Sequence, residues 1–171
     1  MISNLPALRS LIIGVLTLAT SALLGAAEPP PVKWHPGHYV YVDHGALAEE
    51  MLTLPHFRGV QKIYTWRQLE PEDGRYDFSK LKADLALMRK HGRQLVVQLT
   101  YKSFVKGERQ VPDYIKGPEF GGGVYITRKG AYNPVIWNHK VGARFDALIV
   151  ALGREFDRDP NLEAVNLPET A

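Results

Sequence analysis

The sequence contains no cysteine, so it has neither a disulfide framework, a thiolate metal site nor a lipid-bearing cysteine. It has no Gly-x-Gly-x-x-Gly after its first strand-like run and no Walker loop, which argues against a dinucleotide or nucleoside triphosphate site. His35, His38, His44, His56, His91 and His139 show no His-x-x-x-His or His-Glu-x-x-His spacing, so no zinc or other metal site is expected. Ser103 lacks a Gly-x-Ser-x-Gly setting, which argues against a serine hydrolase. The formal charge of +3 is small, and Glu49, Glu50, Glu70, Glu72 and Asp73 lie among the basic residues. No basic stripe exists to grip a phosphate backbone, so nucleic acid is not an expected partner.

Long apolar runs are missing too, except near the N-terminus. Arg9 begins a short positive region, Leu11 to Leu24 is apolar and uncharged, and Gly25-Ala26-Ala27 supplies small residues. This is the pattern of a signal peptide over 1–27, cleaved after Ala27. The alternative is a retained N-terminal membrane anchor, but the run is short for a span of about 20 residues, so export to the periplasm or outside is expected, with no membrane attachment after cleavage. The stretch 28–36 is a proline-rich lead-in.

The remainder alternates between two periodicities. His38 to Val42 is rich in aromatic and β-branched residues and predicts a first strand. Leu47, Met51 and Leu54 are spaced for a short helix, stopped by Pro55. Gly59 to Trp66 predicts a second strand, and Arg67 to Tyr76 a loop. Ser79 is a candidate N-cap for a helix carrying Leu81, Leu85 and Met88, with Gly92 as its left-handed stop. Leu95-Val96-Val97 and Leu99 predict a third strand, covered on both faces. Tyr101 to Pro134 shows no clear element, and so long an irregular stretch usually serves function or is disordered. Asn133-Pro134 is a candidate cap for a long helix bearing Val141, Phe145, Leu148, Leu152 and Phe156. A strand from Leu162 follows. Strand and helix alternating this way predict a parallel α/β sheet. It is either an open doubly wound sheet or part of a closed (β/α)₈ barrel. The long loop after strand three and the polar or aromatic residues at strand ends favour the barrel. The residues beyond the leader fall short of the about 250 of a whole barrel.

One segment is more specific. Trp66-x-x-Leu69-Glu70-Pro71-x-x-Gly74-x-Tyr76-Asp77-Phe78 resembles the signature after the second strand of clan A retaining glycoside hydrolases. It is most similar to the family 42 β-galactosidase-like N-terminal domain. The resemblance runs from about Gly37 to Ala171 and covers the front half of that family's barrel. It implies residues 37–171 as the N-terminal four strands of a TIM (β/α)₈ barrel, acting on β-linked oligo- or polysaccharides without metal or organic cofactor. It places the general acid/base at Glu169 and the nucleophile on a seventh strand outside this sequence. The family usually has Asn directly before the acid/base; here Pro168 stands there, and the nearest asparagine is Asn166.

Retaining hydrolysis needs two carboxyls about 5–5.5 Å apart, one protonating the leaving oxygen and one attacking the anomeric carbon. Expected sugar contacts are Trp66, through its aromatic face, and Asp43, His44, Gln98, Tyr101 and Asn166, through hydrogen bonds. Glu70, before Pro71 and without a visible partner, is read as fixing the loop. Trp137, off the apolar face of the last helix, is expected to pack on a helix, the alternative being a place at the lip of the cleft. A half-barrel leaves two sheet edges open, so self-association is a further expectation. The competing readings are a non-catalytic sugar-binding or cell-surface protein and a small open-sheet protein for a phosphorylated ligand.

Overall fold

A computed structural model describes residues 32–43 and 45–167. The leader 1–27, His44 and Glu169 lie outside the described residues. The elements in order are β1 (His38–Val42), α1 (Glu49–Thr53), β2 (Phe57–Thr65), α2 (Trp66–Leu69), α3 (Ser79–His91) and β3 (Gln94–Thr100), followed by β4 (Val124–Ile126), β5 (Tyr132–Pro134), α4 (His139–Phe156) and β6 (Leu162–Asn166).

Four strands form one sheet in the order β1-β2-β3-β6, and every neighbouring pair is parallel. The order therefore advances in one direction without reversing. A doubly wound sheet reverses at its switch point, whereas a (β/α)₈ barrel keeps adding each new strand on the same side. The described strands follow the barrel rule, as part of a barrel.

Side-chain alternation gives the sheet two unlike faces. Val60 and Tyr64 of β2, and Leu95, Val97 and Leu99 of β3, are fully buried under the helices. They meet Leu81, Leu85 and Met88 of α3 and Val141, Phe145, Leu148, Leu152 and Phe156 of α4. Lys62 shares this layer and is wholly buried. Its Nζ lies 2.6 Å from Asp84 Oδ2 on α3, which also accepts the Tyr64 hydroxyl at 2.6 Å. A buried ammonium is tolerable only when paired in this way. The opposite face carries Gln61, Ile63 and Thr65 on β2, and Val96, Gln98 and Thr100 on β3. In a whole barrel this face is the interior.

Gly59 is required by close strand approach. A Cβ there would stand 1.9 Å from the Gln94 carbonyl oxygen on β3. Gly92 ends α3 at φ 61°, as its position predicts.

Several local expectations are corrected. The loop after β2 begins with the helical turn α2, capped reciprocally by Thr65 and Gln68. Ser79 opens α3 but does not cap it; its N–H is taken by the Asp77 carboxylate at 3.0 Å. Asn133 and Pro134 belong to strand β5, and the cap of α4 is Asn138, whose side chain accepts from the Lys140 N–H. The stretch after β3 is not featureless. It holds two 3₁₀ turns, at Asp113–Lys116 and Pro118–Phe120, and the antiparallel pair β4–β5. Short elements stabilised by tertiary contacts leave little periodic trace in a sequence.

The lead-in is also structured near its end. His35 donates its backbone N–H to Glu163 of β6 at 3.0 Å, and its ring Nδ1 lies 2.6 Å from the same carboxylate. The Tyr39 hydroxyl donates to the His35 carbonyl at 2.8 Å. The lead-in thus crosses from β1 to β6 beneath the N-terminal ends of the strands.

Candidate functional site

Parallel strands deliver all their C-terminal ends to one rim, and loops leaving that rim are free to carry chemistry. Here the rim is made by Asp43 after β1, Thr65 at the end of β2, Thr100 at the end of β3 and Asn166 at the end of β6. Asp43 and Asn166 are exposed.

Gln98 and Asn166 are direct partners in the β3–β6 register, and Gln98 is also opposite Ile63 of β2. The Gln61 side-chain amide donates to Gln98 Oε1 at 2.6 Å. Three amide side chains therefore share the open face, with Gln98 at the centre. Gln61 was missed by sequence reasoning, though a glutamine recurring within β-rich runs at both 61 and 98 marks a polar sheet face. Amides of this kind donate and accept at once, which suits hydroxyl-rich ligands.

Trp66 and Tyr101 stand elsewhere. Trp66 is completely buried, and its ring meets Phe145 of α4 edge-on, with centroids 5.1 Å apart. Tyr101 is buried on the other side of the same phenylalanine, at 4.8 Å. Both rings anchor α4 to the strand ends, so the expected sugar contacts at these two residues are corrected. The reason is positional: α4 returns across the sheet and covers the first residue after β2 and after β3. Burial, and secondarily the nearby Tyr125 phenol, push the Tyr101 hydroxyl pKa up.

The signature segment is a buried brace. Glu70 has no exposed surface. Its carboxylate accepts from Trp66 Nε1 at 2.8 Å and from the Gly74 N–H at 3.0 Å. Arg144 of α4 pairs with Glu70 and reaches Asp73 at 2.8 Å through Nε. Gly74 has φ +70°, a left-handed turn that points its N–H at the carboxylate. Tyr114 lies against the pair, and burial pushes its hydroxyl pKa up. Glu70 holds the loop, as its place before Pro71 suggests, and its distant partner Arg144 is visible only in three dimensions.

A second polar network organises the segment after β3. Thr100 Oγ1 donates to Gln110 Oε1 at 2.8 Å, Ser103 pairs with Glu108, and the Ser103 N–H donates to Asn133 Oδ1 at 2.8 Å. Thr100, Ser103, Gln110 and Asn133 are all buried. Ser103 is thus committed to holding the loop. Among the described residues no group of three or more His, Asp or Glu side chains is placed to hold a metal ion.

No family model and no curated protein matches this chain. Solved structures do. The catalytic domain of β-amylase from Paenibacillus polymyxa superimposes with TM-score 0.58 and 14% identity, over 75% of this chain and 36% of that one. The chain has part of a TIM (β/α)₈ barrel fold. It spans little more than a third of the β-amylase domain. A GH5_18 protein from Bifidobacterium longum, in complex with Manβ1-4GlcNAc, is 12% identical with TM-score 0.49, over 70% of this chain and 25% of that one. A β-galactosidase from Rahnella sp. R3 is 15% identical with TM-score 0.47, over 66% and 17%. At these identities the likeness concerns the barrel's architecture.

Proposed function

We propose that this chain is the N-terminal half of an exported glycoside hydrolase that cleaves a β-linked oligo- or polysaccharide with retention of configuration. The observation that carries the reading is the sheet itself. Four parallel strands add in one direction, and their open face presents Gln61, Gln98 and Asn166. In this reading Asp43, His44, Gln98 and Asn166 bind sugar hydroxyls and Glu169 protonates the leaving oxygen. The nucleophile comes from a seventh strand outside this sequence. The signature around Glu70 supports the assignment to clan A and acts as the brace that sets the loop beside the rim. The first half alone is expected to be inactive, because one carboxylate cannot perform both steps. Its open sheet edges favour self-pairing.

The test uses the full open reading frame. The protein is assayed on an activated aryl β-glycoside and on a β-linked disaccharide, and ¹H NMR identifies the first-formed anomer. Retention is expected. Glu169→Gln should cripple cleavage of the disaccharide and spare the aryl glycoside, whose leaving group needs no proton. An inverted product, or equal loss on both substrates, removes the reading. A non-catalytic sugar-binding role is the second reading, and the exposed rings of Tyr125 and Trp137 favour it.

A further inference from the structure

Two large aromatic side chains near the rim take no part in the core. Trp137 is 74% exposed and Tyr125 is 39% exposed. Their ring centroids are 5.8 Å apart with planes inclined by 38°, so the rings touch without covering each other. The expected packing of Trp137 on a helix is thereby corrected.

The backbone beneath them is fixed from several sides. Tyr125 pairs with Asn133 across β4–β5, and the Asn133 side chain is held by the Ser103 N–H. Gly107 donates to the Gly130 carbonyl at 2.9 Å, and Tyr132 donates to the Glu108 carbonyl at 3.2 Å. These bonds tie the hairpin to the segment leaving β3. Trp137 directly precedes Asn138, which caps α4 and also donates through Nδ2 to the Phe120 carbonyl at 2.8 Å. A rigid backbone presenting exposed aromatic faces loses little freedom when it binds.

The patch is small. Tyr125 alternates with its strand neighbours Val124 and Ile126, so the exposed Ile126 falls on the other face of β4. Two rings fall far short of the roughly 1,000 Å² that a specific protein interface buries. They do match the apolar C–H face of a pyranose, with the phenol and indole N–H left to meet hydroxyls. Both residues lie in the connection that leaves the C-terminal end of β3 and leads into α4, so the pair belongs to the loops on the rim side of the sheet.

We propose that Tyr125 and Trp137 form a platform, on the connection between β3 and α4, that stacks against a pyranose ring of a polysaccharide. This rests on the carbohydrate-active reading above, but it concerns binding and not cleavage. The test is titration calorimetry of the full-length protein with cellohexaose, mannohexaose and β-1,4-galactohexaose. At least one is expected to bind. Trp137→Ala should weaken that binding at least about tenfold, Trp137→Phe by no more than about threefold, and Trp34→Ala, at an equally exposed site, should leave it unchanged. Because Trp137 is exposed, each variant should melt within about 2 °C of the parent. Binding by none of the three sugars overturns the platform, as does equal affinity of Trp137→Ala, or equal loss in the Ala and Phe variants. A parent dimer that Trp137→Ala converts to monomer overturns it in favour of an interface. Trp137-dependent binding without any hydrolysis leaves the platform standing and removes only the enzymatic reading.

Discussion

The indole N–H of Trp66 donates to Glu70 Oε2 at 2.8 Å, one helical turn further along, and both side chains are fully buried. The same carboxylate receives the Gly74 N–H and the Arg144 guanidinium. One side chain therefore joins the turn α2, the loop after it and helix α4. This places the signature's spacing on a structural footing: tryptophan, glutamate and glycine stand where three donors and one acceptor converge.

Removing that acceptor leaves the buried indole N–H without a partner and the half-buried guanidinium with Asp73 alone. Glu70→Ala is expected to cost about 1–3 kcal/mol or more in urea unfolding, the scale for leaving a buried donor unsatisfied. Arg144→Met should be similarly harmful, and the double variant should cost clearly less than the sum. Simple additivity would show that the two do not act as a unit.

Gly59 offers a purely steric test. A methyl group there meets the Gln94 carbonyl at 1.9 Å, and backbone in a sheet interior has little room to move. Gly59→Ala should destabilise by roughly 1–3 kcal/mol or more, the range for overpacking. A melting temperature equal to the parent's would mean that β2 and β3 are further apart than described.

The contact of His35 with Glu163 predicts a pH dependence. Burial pushes the Glu163 carboxyl pKa up, but the His35 backbone N–H, the His35 ring and Lys33 together hold it below the ordinary value of 4.5. A carboxylate with a lower pKa in the folded state binds fewer protons than in the unfolded chain. Its contribution is complete above about 4.5, the ordinary value, and fades as the pH falls through the folded pKa. Urea midpoints of the parent should fall more steeply below that pH than those of Glu163→Gln. Parallel curves would detach the lead-in from β6.

Phe145 carries the two aromatic residues that sequence reasoning assigned to sugar. Phe145→Ala removes the surface on which Trp66 and Tyr101 rest and should cost about 3–5 kcal/mol. Near-UV circular dichroism should also lose much of its aromatic signal. Gln98→Ala, on the open face, should change stability by less than about 1 kcal/mol. If Trp66 were instead a sugar platform, Phe145→Ala would leave its spectrum untouched.

The sequence alone determined the strand–helix alternation, the parallel sheet and the burying faces of α3 and α4. Each of these depends on hydrophobic periodicity, which is a local property. Leu81, Leu85 and Met88, or Val141, Phe145 and Leu148, declare their helix faces without reference to anything distant. Tertiary structure alone decided which polar and aromatic residues are displayed. Trp66 and Trp137 are the same residue type near element ends, yet α4 returns over one and leaves the other in solvent. Residue type cannot carry that difference, because burial depends on where a helix seventy residues later comes to lie. The pairing of Glu70 with Arg144 and of Gln61 with Gln98 was hidden for the same reason: each joins partners that only the parallel crossover brings within reach.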